Sequence, residues 1–221
     1  EILDTPVRVE VTPQATPVER IKQSVYHVAA AGKVALLAKI LDDPALSRVI
    51  VFARTKHRAN RVAEQLGKRG IAADAIHGNK SQGARQRALN RFRAGDARVL
   101  VATDIAARGI DVDGVTHIVN YELPNEPESY VHRIGRTARA GTSGVAFSFC
   151  DPAEHGYLRD IERLIRHRLA VIGEEPAMAP RDDRRNAKKS RVALRHKRYK
   201  LGNSRNRKRS SRRVATAQAT A

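Results

Sequence analysis

The sequence has little cysteine and no long apolar segment. Its single cysteine, Cys150, excludes an internal disulfide and any metal site built from several cysteines. No apolar run approaches the roughly 18 residues that a membrane-spanning helix needs, so a transmembrane helix is excluded. The opening EILDTPVRVE has no basic stretch followed by an apolar one, so we expect no signal peptide and a cytoplasmic protein. The only methionine is Met178, so the sequence does not begin with methionine, and we expect the 221 residues to be part of a longer protein.

Acidic side chains are scarce at the carboxyl end of the chain. The 221 residues carry a formal net charge of +19, of which residues 181–221 contribute +14. After about residue 175 the apolar periodicity stops, and such a segment cannot bury enough surface to offset its ordering entropy. We therefore predict a folded domain over residues 18–175 and a disordered basic tail over residues 176–221. Residues 1–17 read as a strand and a proline-rich linker, although an extra edge strand of the same sheet remains open.

Short apolar runs alternate with segments of helical spacing. In residues 59–66, for example, apolar side chains recur at i, i+3, i+4 and i+7. Asp151 and Pro127 have the chemistry of helix starts. The runs are rich in Val, Ile and Phe, which is typical of strands buried on both faces; they are VIVFA (49–53), IAADAIH (71–77), VLVA (99–102), THIVNY (116–121) and VAFSF (145–149). This pattern predicts an α/β fold, an open parallel sheet with helices on both faces.

Polar residues follow several of these strands directly. Thr55 and Thr103 stand just beyond an apolar run, His77 directly follows IAADAI (71–76), and residues 120–122 close the next strand. Ligands of open parallel sheets bind beyond the carboxyl ends of the strands. The pattern therefore indicates a functional surface along one edge of the sheet.

HRIGRTARAG (132–141) is the most distinctive local segment. Arg133, Arg136 and Arg139 recur every three residues and would form a stripe of guanidiniums near one helix face, suited to binding phosphate. The alternative is a solvated basic face. Gly135 and Thr137 argue against it, because both weaken a helix without evident structural gain.

Two further segments have phosphate-directed chemistry. In ATDIAARGID (102–111), Thr103 could donate to a phosphate oxygen and Asp111 could accept from a ribose hydroxyl. In SQGAR (81–85), Ser81 is a plausible helix cap and Arg85 lies in the first turn, where the helix dipole favours anions. The alternatives are a capped turn with a solvated acid, and an ordinary surface arginine.

The chain has no phosphate-binding loop of its own. AAGKVALL around Lys33 lacks the earlier glycine and the following Ser or Thr that a P-loop requires. DDPA (42–45) reads as a helix end and not as an acid motif for Mg²⁺. An arginine supplied by one domain to a nucleotide held by another is an established way to stabilise phosphoryl transfer. The missing parts are therefore expected on another domain.

VIVFARTK (49–56), SQGAR, ATDIAARGID and HRIGRTARAG, in this order, resemble the second RecA-like domain of DEAD-box ATP-dependent RNA helicases. The resemblance covers roughly residues 20–170 and is nearest to bacterial members of the RhlE type. It implies a RecA-like sheet, with residues 1–17 as the end of a first RecA-like domain and a linker. One departure is Ala138, where the family commonly has glycine; because alanine suits a helix, little loss is expected.

The resemblance also implies roles for the motif residues. Asp111 would contact the ribose, Arg108 would help to order the interdomain site, and Arg133 with its neighbour would connect the ATP and RNA sites. The implied arginine fingers are Arg136 and Arg139. The implied nucleotide-site residues are Arg108, Gly109, Asp111, His132 and Arg133. The implied contacts to the RNA backbone are Thr55, Arg85 and Thr103. Mg²⁺ would be held by the first domain, and this chain would hold no metal.

The implied function is ATP-driven local unwinding of RNA duplexes without sequence preference, because the contacts go to phosphate and sugar. The first RecA-like domain would be a partner in cis, the basic tail would tether RNA, and no membrane would be involved. Without that first domain, the 221 residues are expected to be inactive. Two alternatives remain: a non-catalytic RNA-binding module, and a DNA helicase domain of the same superfamily. A solubilising or targeting role for the tail also remains open.

Overall fold

The structure is a computed structural model that describes residues 20–107, 110, 112–138 and 143–173. The predicted linker segment at residues 1–17 and the basic tail at residues 176–221 lie outside the described residues, so both stay predictions. No helix in the described part of the chain is long and apolar enough to cross a membrane.

Seven strands form one parallel sheet in the order β3-β4-β2-β5-β6-β1-β7. The strands are β1 Ile21–His27, β2 Val49–Phe52, β3 Ala73–Ile76, β4 Val99–Ala102, β5 His117–Asn120, β6 Gly144–Cys150 and β7 Ala170–Val171. The helices between them are α1 Lys33–Leu41, α2 Lys56–Gly67, α3 Gln82–Ala94, α4 Asp104–Ala107, α5 Pro127–Ile134 and α6 His155–Ile165. The predicted parallel α/β architecture is confirmed.

Helices cover both faces of the sheet. On one face α1 and α2 pack Leu37, Val62 and Leu66 against the odd-numbered side chains of β2 and β4. On the other face α3, α5 and α6 supply a second apolar layer that includes Phe92 and Ile161. All four residues of β2 and all four of β4 are buried, which explains why these strands read as continuous apolar runs.

The predicted helix starts are also confirmed. The Ser81 hydroxyl accepts the backbone N–H of Ala84, and Pro127 occupies the first turn of α5. Asp151 and Glu154 form a reciprocal capping box in the 3-10 turn that precedes α6.

The sequence pattern did not reveal strand β1. Its segment IKQSVYH lacks an apolar run, yet it pairs along its whole length with β6. Two of its polar side chains fit the sheet: Gln23 accepts a hydrogen bond from the Tyr130 hydroxyl at 2.8 Å, and the small Ser24 is buried. Tertiary pairing therefore overrides a weak local strand signal here.

Candidate functional site

A cavity of about 210 Å³ opens at the carboxyl edge of the sheet, beside β2 and β4. Its lining comes from the end of β2, from α4 and from α5 with the turn after it: Phe52, Asp104, Ala107, Ser129, His132, Arg133 and Arg136. The fold thus brings the start of ATDIAARGID, which the strand-end pattern placed at this edge, together with the start of HRIGRTARAG, which that pattern did not include.

Arg133 is the most constrained side chain of this cavity. It is 1% exposed, and its Nε and Nη2 donate to the two carboxylate oxygens of Asp104 at 2.6 and 2.8 Å. Its Nη1 donates to Asn120 Oδ1 at 3.2 Å and to the Glu122 carbonyl at 2.7 Å. The guanidinium also lies over the Phe52 ring, 5.1 Å from the centroid. Arg133 therefore ties α5 to the ends of β5, β2 and β4.

The predicted stripe of arginines on one helix face is wrong, because α5 ends at Ile134. Arg133 points into the core, while Arg136 lies in the turn beyond the helix and is half-buried. The end of the helix before Thr137 allows a structural contact that the sequence did not reveal. The buried Thr137 hydroxyl donates to the Val115 carbonyl, which ties the turn to the segment before β5.

Ala138 continues this departure from helix geometry. Its φ is 55°, in the left-handed region where an L side chain is strained and glycine is not. The expectation of a helix-compatible Ala138 is therefore wrong, and a glycine would suit the backbone of this turn better.

The other nucleotide-site predictions divide between described and undescribed residues. His132 is exposed and lines the cavity, and Arg136 lines it while its Nη1 donates to the Ile110 carbonyl at 3.3 Å. The remaining four residues lie outside the described residues, and their roles stay predictions: Arg108, Gly109, Asp111 and Arg139.

The three predicted RNA contacts all follow adjacent strands of the sheet. Thr55 is the exposed N-cap of α2, and its hydroxyl accepts the Arg58 N–H at 3.2 Å. Thr103 directly follows β4 and is only 9% exposed. Arg85 is half-buried in the first turn of α3, after β3. Since β3, β4 and β2 are neighbours, the structure places all three residues at one edge of the sheet.

Sequence reasoning missed a buried ionic network behind this edge. The Glu154 carboxylate contacts Lys33 Nζ and lies 2.6 Å from Arg54 Nη2, and it accepts the Leu123 N–H at 3.2 Å. Lys33 and Glu154 are 2% and 1% exposed, so each neutralises the charge of the other. The capping-box signature at Asp151 was the available signal, but nothing in the sequence pairs it with Lys33.

Burial also sets the protonation of two groups near the edge. Burial, assisted by the positive charges of Lys80 and Lys56, lowers the pKa of His77 and favours its neutral ring. The His77 Nε2 lies 2.9 Å from Asn60 Oδ1, so the proton on that nitrogen donates to the amide oxygen. Burial, together with the negative charge of Glu154, raises the pKa of Cys150 to about 12.

The fold and the site together define a class: a parallel α/β domain that presents arginines at the carboxyl edge of its sheet without a phosphate loop. Residues 32–141 match the family described as the helicase conserved C-terminal domain. The DEAD-box ATP-dependent RNA helicase CshA of Geobacillus kaustophilus is 46% identical over 167 residues, which cover 76% of this chain and 36% of that protein. The chain thus spans about a third of the length of its curated relatives.

Solved structures agree with this comparison. The Escherichia coli DEAD-box protein SrmB, in a crystal structure with regulator of ribonuclease activity A, matches with a TM-score of 0.69 and 37% identity, covering 73% of this chain and 98% of that one. Saccharomyces cerevisiae Dbp5 bound to RNA and ADP BeF3 matches with a TM-score of 0.64 and 33% identity, covering 69% of this chain and 41% of that one. The chain belongs to the DEAD-box RNA helicase family and carries its C-terminal, RecA-like domain.

Proposed function

We propose that this domain supplies one half of the ATP site and one half of the RNA site of an ATP-dependent RNA helicase. The observation that carries the proposal is the cavity that Arg136 and His132 share with the buried Arg133–Asp104 pair. The names of the relatives, ATP-dependent RNA helicases, support the same assignment.

The residues present fit one end of a nucleotide. Arg136 lines the cavity from a turn outside any helix, and its delocalised charge and several N–H donors suit a phosphate. We assign Arg136 and Arg139 as the fingers that stabilise charge on the γ-phosphate, and Asp111 as the ribose contact. Arg108, Gly109 and His132 complete this side of the site. ATP supplies the phosphoryl group whose release drives the cycle, and the first RecA-like domain in cis holds its phosphates and Mg²⁺.

The RNA half of the site is assigned to Thr55, Arg85 and Thr103. A threonine hydroxyl that accepts a backbone N–H, as that of Thr55 does, can still donate its own hydrogen to a phosphate oxygen. Contacts of this kind position a strand without reading its bases, so binding is independent of sequence.

Arg133 connects the two halves of the site. Its bidentate bond to Asp104 lies one residue from Thr103, and Arg136 follows it by three residues in the next turn. A displacement of Arg136 toward a bound phosphate is therefore transmitted to the strand end that carries the RNA contact. We assign Arg133 as a positioning residue.

The tail and the finer classification complete the proposal. Residues 181–221 carry a net charge of +14 and tether RNA electrostatically. The RhlE-type subgroup and a cytoplasmic location stay predictions; the Geobacillus relative reported above carries the name CshA.

The decisive experiment joins the first domain of the Geobacillus relative to the amino end of this chain and measures RNA-stimulated ATP hydrolysis. Arg136→Ala and Arg139→Ala should each lower the rate by roughly 10³–10⁵, the effect of losing an arginine finger in phosphoryl transfer. Arg163→Ala is the matched control, because that side chain is 79% exposed on α6 and pairs only with the nearby Asp160 among described carboxylates. Rates within a few-fold of the parent for both finger variants would refute the assignment.

A further inference from the structure

Three side chains of types that can bind metal ions lie together, and none of them is assigned to ATP or RNA. His27 ends β1, Cys150 ends β6, and His155 begins α6. His27 and Cys150 are opposite each other in the parallel pairing of the two strands. One ligand atom from each of the three residues lies within 4.8 Å of the other two.

The two imidazole rings are arranged edge to face, with centroids 5.4 Å apart and an interplanar angle of 86°. At bond lengths of about 2.3 Å to sulfur and about 2.0–2.1 Å to nitrogen, a tetrahedral zinc ion needs its ligand atoms roughly 3.3–3.7 Å apart. The ligand atoms, which lie within 4.8 Å of one another, would have to move closer by up to about 1.5 Å to reach the spacing of a zinc site. Zinc accepts both thiolate and imidazole ligands, and a set of three protein ligands leaves one of its four positions open.

The charged groups around Cys150 leave one net negative charge, because Lys33 pairs with Asp151 and Glu154, and Arg54 also pairs with Glu154. The carboxylates of Asp151, Glu154 and Glu162 all act on the thiol, and Lys33 is the opposing positive charge. Cys150 is buried, whereas His27 and His155 are half-buried, so an ion can enter from the imidazole side. The simpler account is that Cys150 is only a small apolar core residue, beside two histidines that pack on each other.

We propose that His27, Cys150 and His155 together bind one divalent ion of the zinc class, with water in the fourth position. Binding forms a metal–sulfur bond and two metal–nitrogen bonds, and it releases one proton from the Cys150 thiol to solvent. The ion would tie the carboxyl ends of β1 and β6 to the first residue of α6. This site is independent of the proposed helicase function, because it shares no residue with the ATP or RNA contacts.

The test is titration of the metal-free 221-residue chain with Co²⁺, followed by Zn²⁺. The proposal predicts one equivalent of bound Co²⁺, with the visible bands of tetrahedral cobalt and a near-ultraviolet thiolate-to-metal charge-transfer band. One equivalent of Zn²⁺ should remove both signals, because zinc prefers this tetrahedral set. Titration without a charge-transfer band would overturn the proposal.

Variants identify the ligands. Cys150→Ser should abolish the charge-transfer band, and His155→Ala should weaken binding at least tenfold, since loss of a mere supporting contact already costs about 10–100-fold. His167→Ala is the matched control, because His167 is exposed just beyond the same helix and lies outside the cluster. Circular dichroism checks that each variant is folded. If Cys150→Ser does not fold, His155→Ala against His167→Ala decides, and equal affinities in those two would overturn the proposal.

Discussion

Replacing Arg133 tests whether this side chain organises the site or merely contacts a ligand. Arg133→Met keeps an apolar stem over Phe52 but removes all the donors of the guanidinium. Two acceptors then lose a buried partner: the amide oxygen of the fully buried Asn120 and the carbonyl of Glu122. Asp104, at 36% exposed, can recover water in place of its bidentate partner.

The magnitude follows from these contacts. Each buried acceptor left unsatisfied costs about 1–3 kcal/mol, and loss of one member of a buried ion pair costs about 3–5 kcal/mol. Because Asp104 is partly rehydrated, we expect a loss of about 3 kcal/mol in the free energy of unfolding. With a urea m-value of about 2 kcal/mol/M for a domain of this size, the midpoint of unfolding should fall by about 1.5 M.

Urea unfolding of the 221-residue chain, followed by circular dichroism, measures this shift. Arg163→Met is the matched control, and its exposed ion pair with Asp160 should contribute less than about 1 kcal/mol. Arg133→Lys should recover only part of the loss, because an ammonium cannot form the bidentate bond. An Arg133→Met midpoint equal to that of Arg163→Met would refute a positioning role for Arg133.

Three further predictions concern other parts of the chain. Removing residues 181–221 should weaken binding to two unrelated single-stranded RNAs at low salt. The slope of log K against log salt should also become shallower, by about 0.7 for each phosphate that is no longer neutralised. An unchanged slope would favour a solubilising or targeting role for the tail. Ala138→Gly should raise the free energy of unfolding by up to about 1 kcal/mol. Glycine removes the backbone strain of alanine at φ 55°, and this gain outweighs the larger conformational entropy that glycine gives to the unfolded chain. A clear destabilisation would contradict the strain at Ala138. Because burial raises the pKa of Cys150 from 9.0 to about 12, the folded state binds this proton more tightly than the unfolded state. Metal-free protein should therefore be fully stabilised by this group below pH 9 and lose up to about 1.4 kcal/mol per pH unit above it, whereas Cys150→Ala should show a shallower loss.

The sequence predicted those parts of the fold that depend on local pattern. The apolar runs of β2 and β4 are buried on both faces, and the cap residues Ser81 and Asp151 make their capping bonds in the structure. Because the strands are parallel, the polar residues that follow them lie at the same edge of the sheet, and this does not depend on how individual side chains pack. For these reasons the architecture and the location of the cavity could be predicted.

Long-range partners could not be predicted in the same way. Nothing near Arg133 in sequence indicates Asp104 or Asn120 as its partners, and a repeat of three residues suggested a helix face that the structure does not have. The buried pair of Lys33 and Glu154 joins residues 121 positions apart. Such pairings depend on tertiary packing, which overrides the local preference of the segments involved.

Turn conformations were the third kind of missed feature. Thr137 looked like a helix breaker with no benefit, and Ala138 looked compatible with a helix. In the structure Thr137 anchors the turn through the Val115 carbonyl, and Ala138 has a left-handed backbone. The position of Arg136 therefore depends on the conformation of this turn and not on helix propensity.

The central claim, that this chain holds only part of an ATP site, is tested most directly by the ATPase rate of the 221-residue chain alone. The measurement is steady-state release of phosphate with and without single-stranded RNA, beside the two-domain fusion under the same conditions. The account predicts a rate at background for the chain alone and RNA-stimulated hydrolysis for the fusion, because the sequence offers the arginines proposed as fingers but no phosphate-loop motif and no acid motif for Mg²⁺. RNA-stimulated hydrolysis by the chain alone, at a rate comparable with that of the fusion, would contradict it.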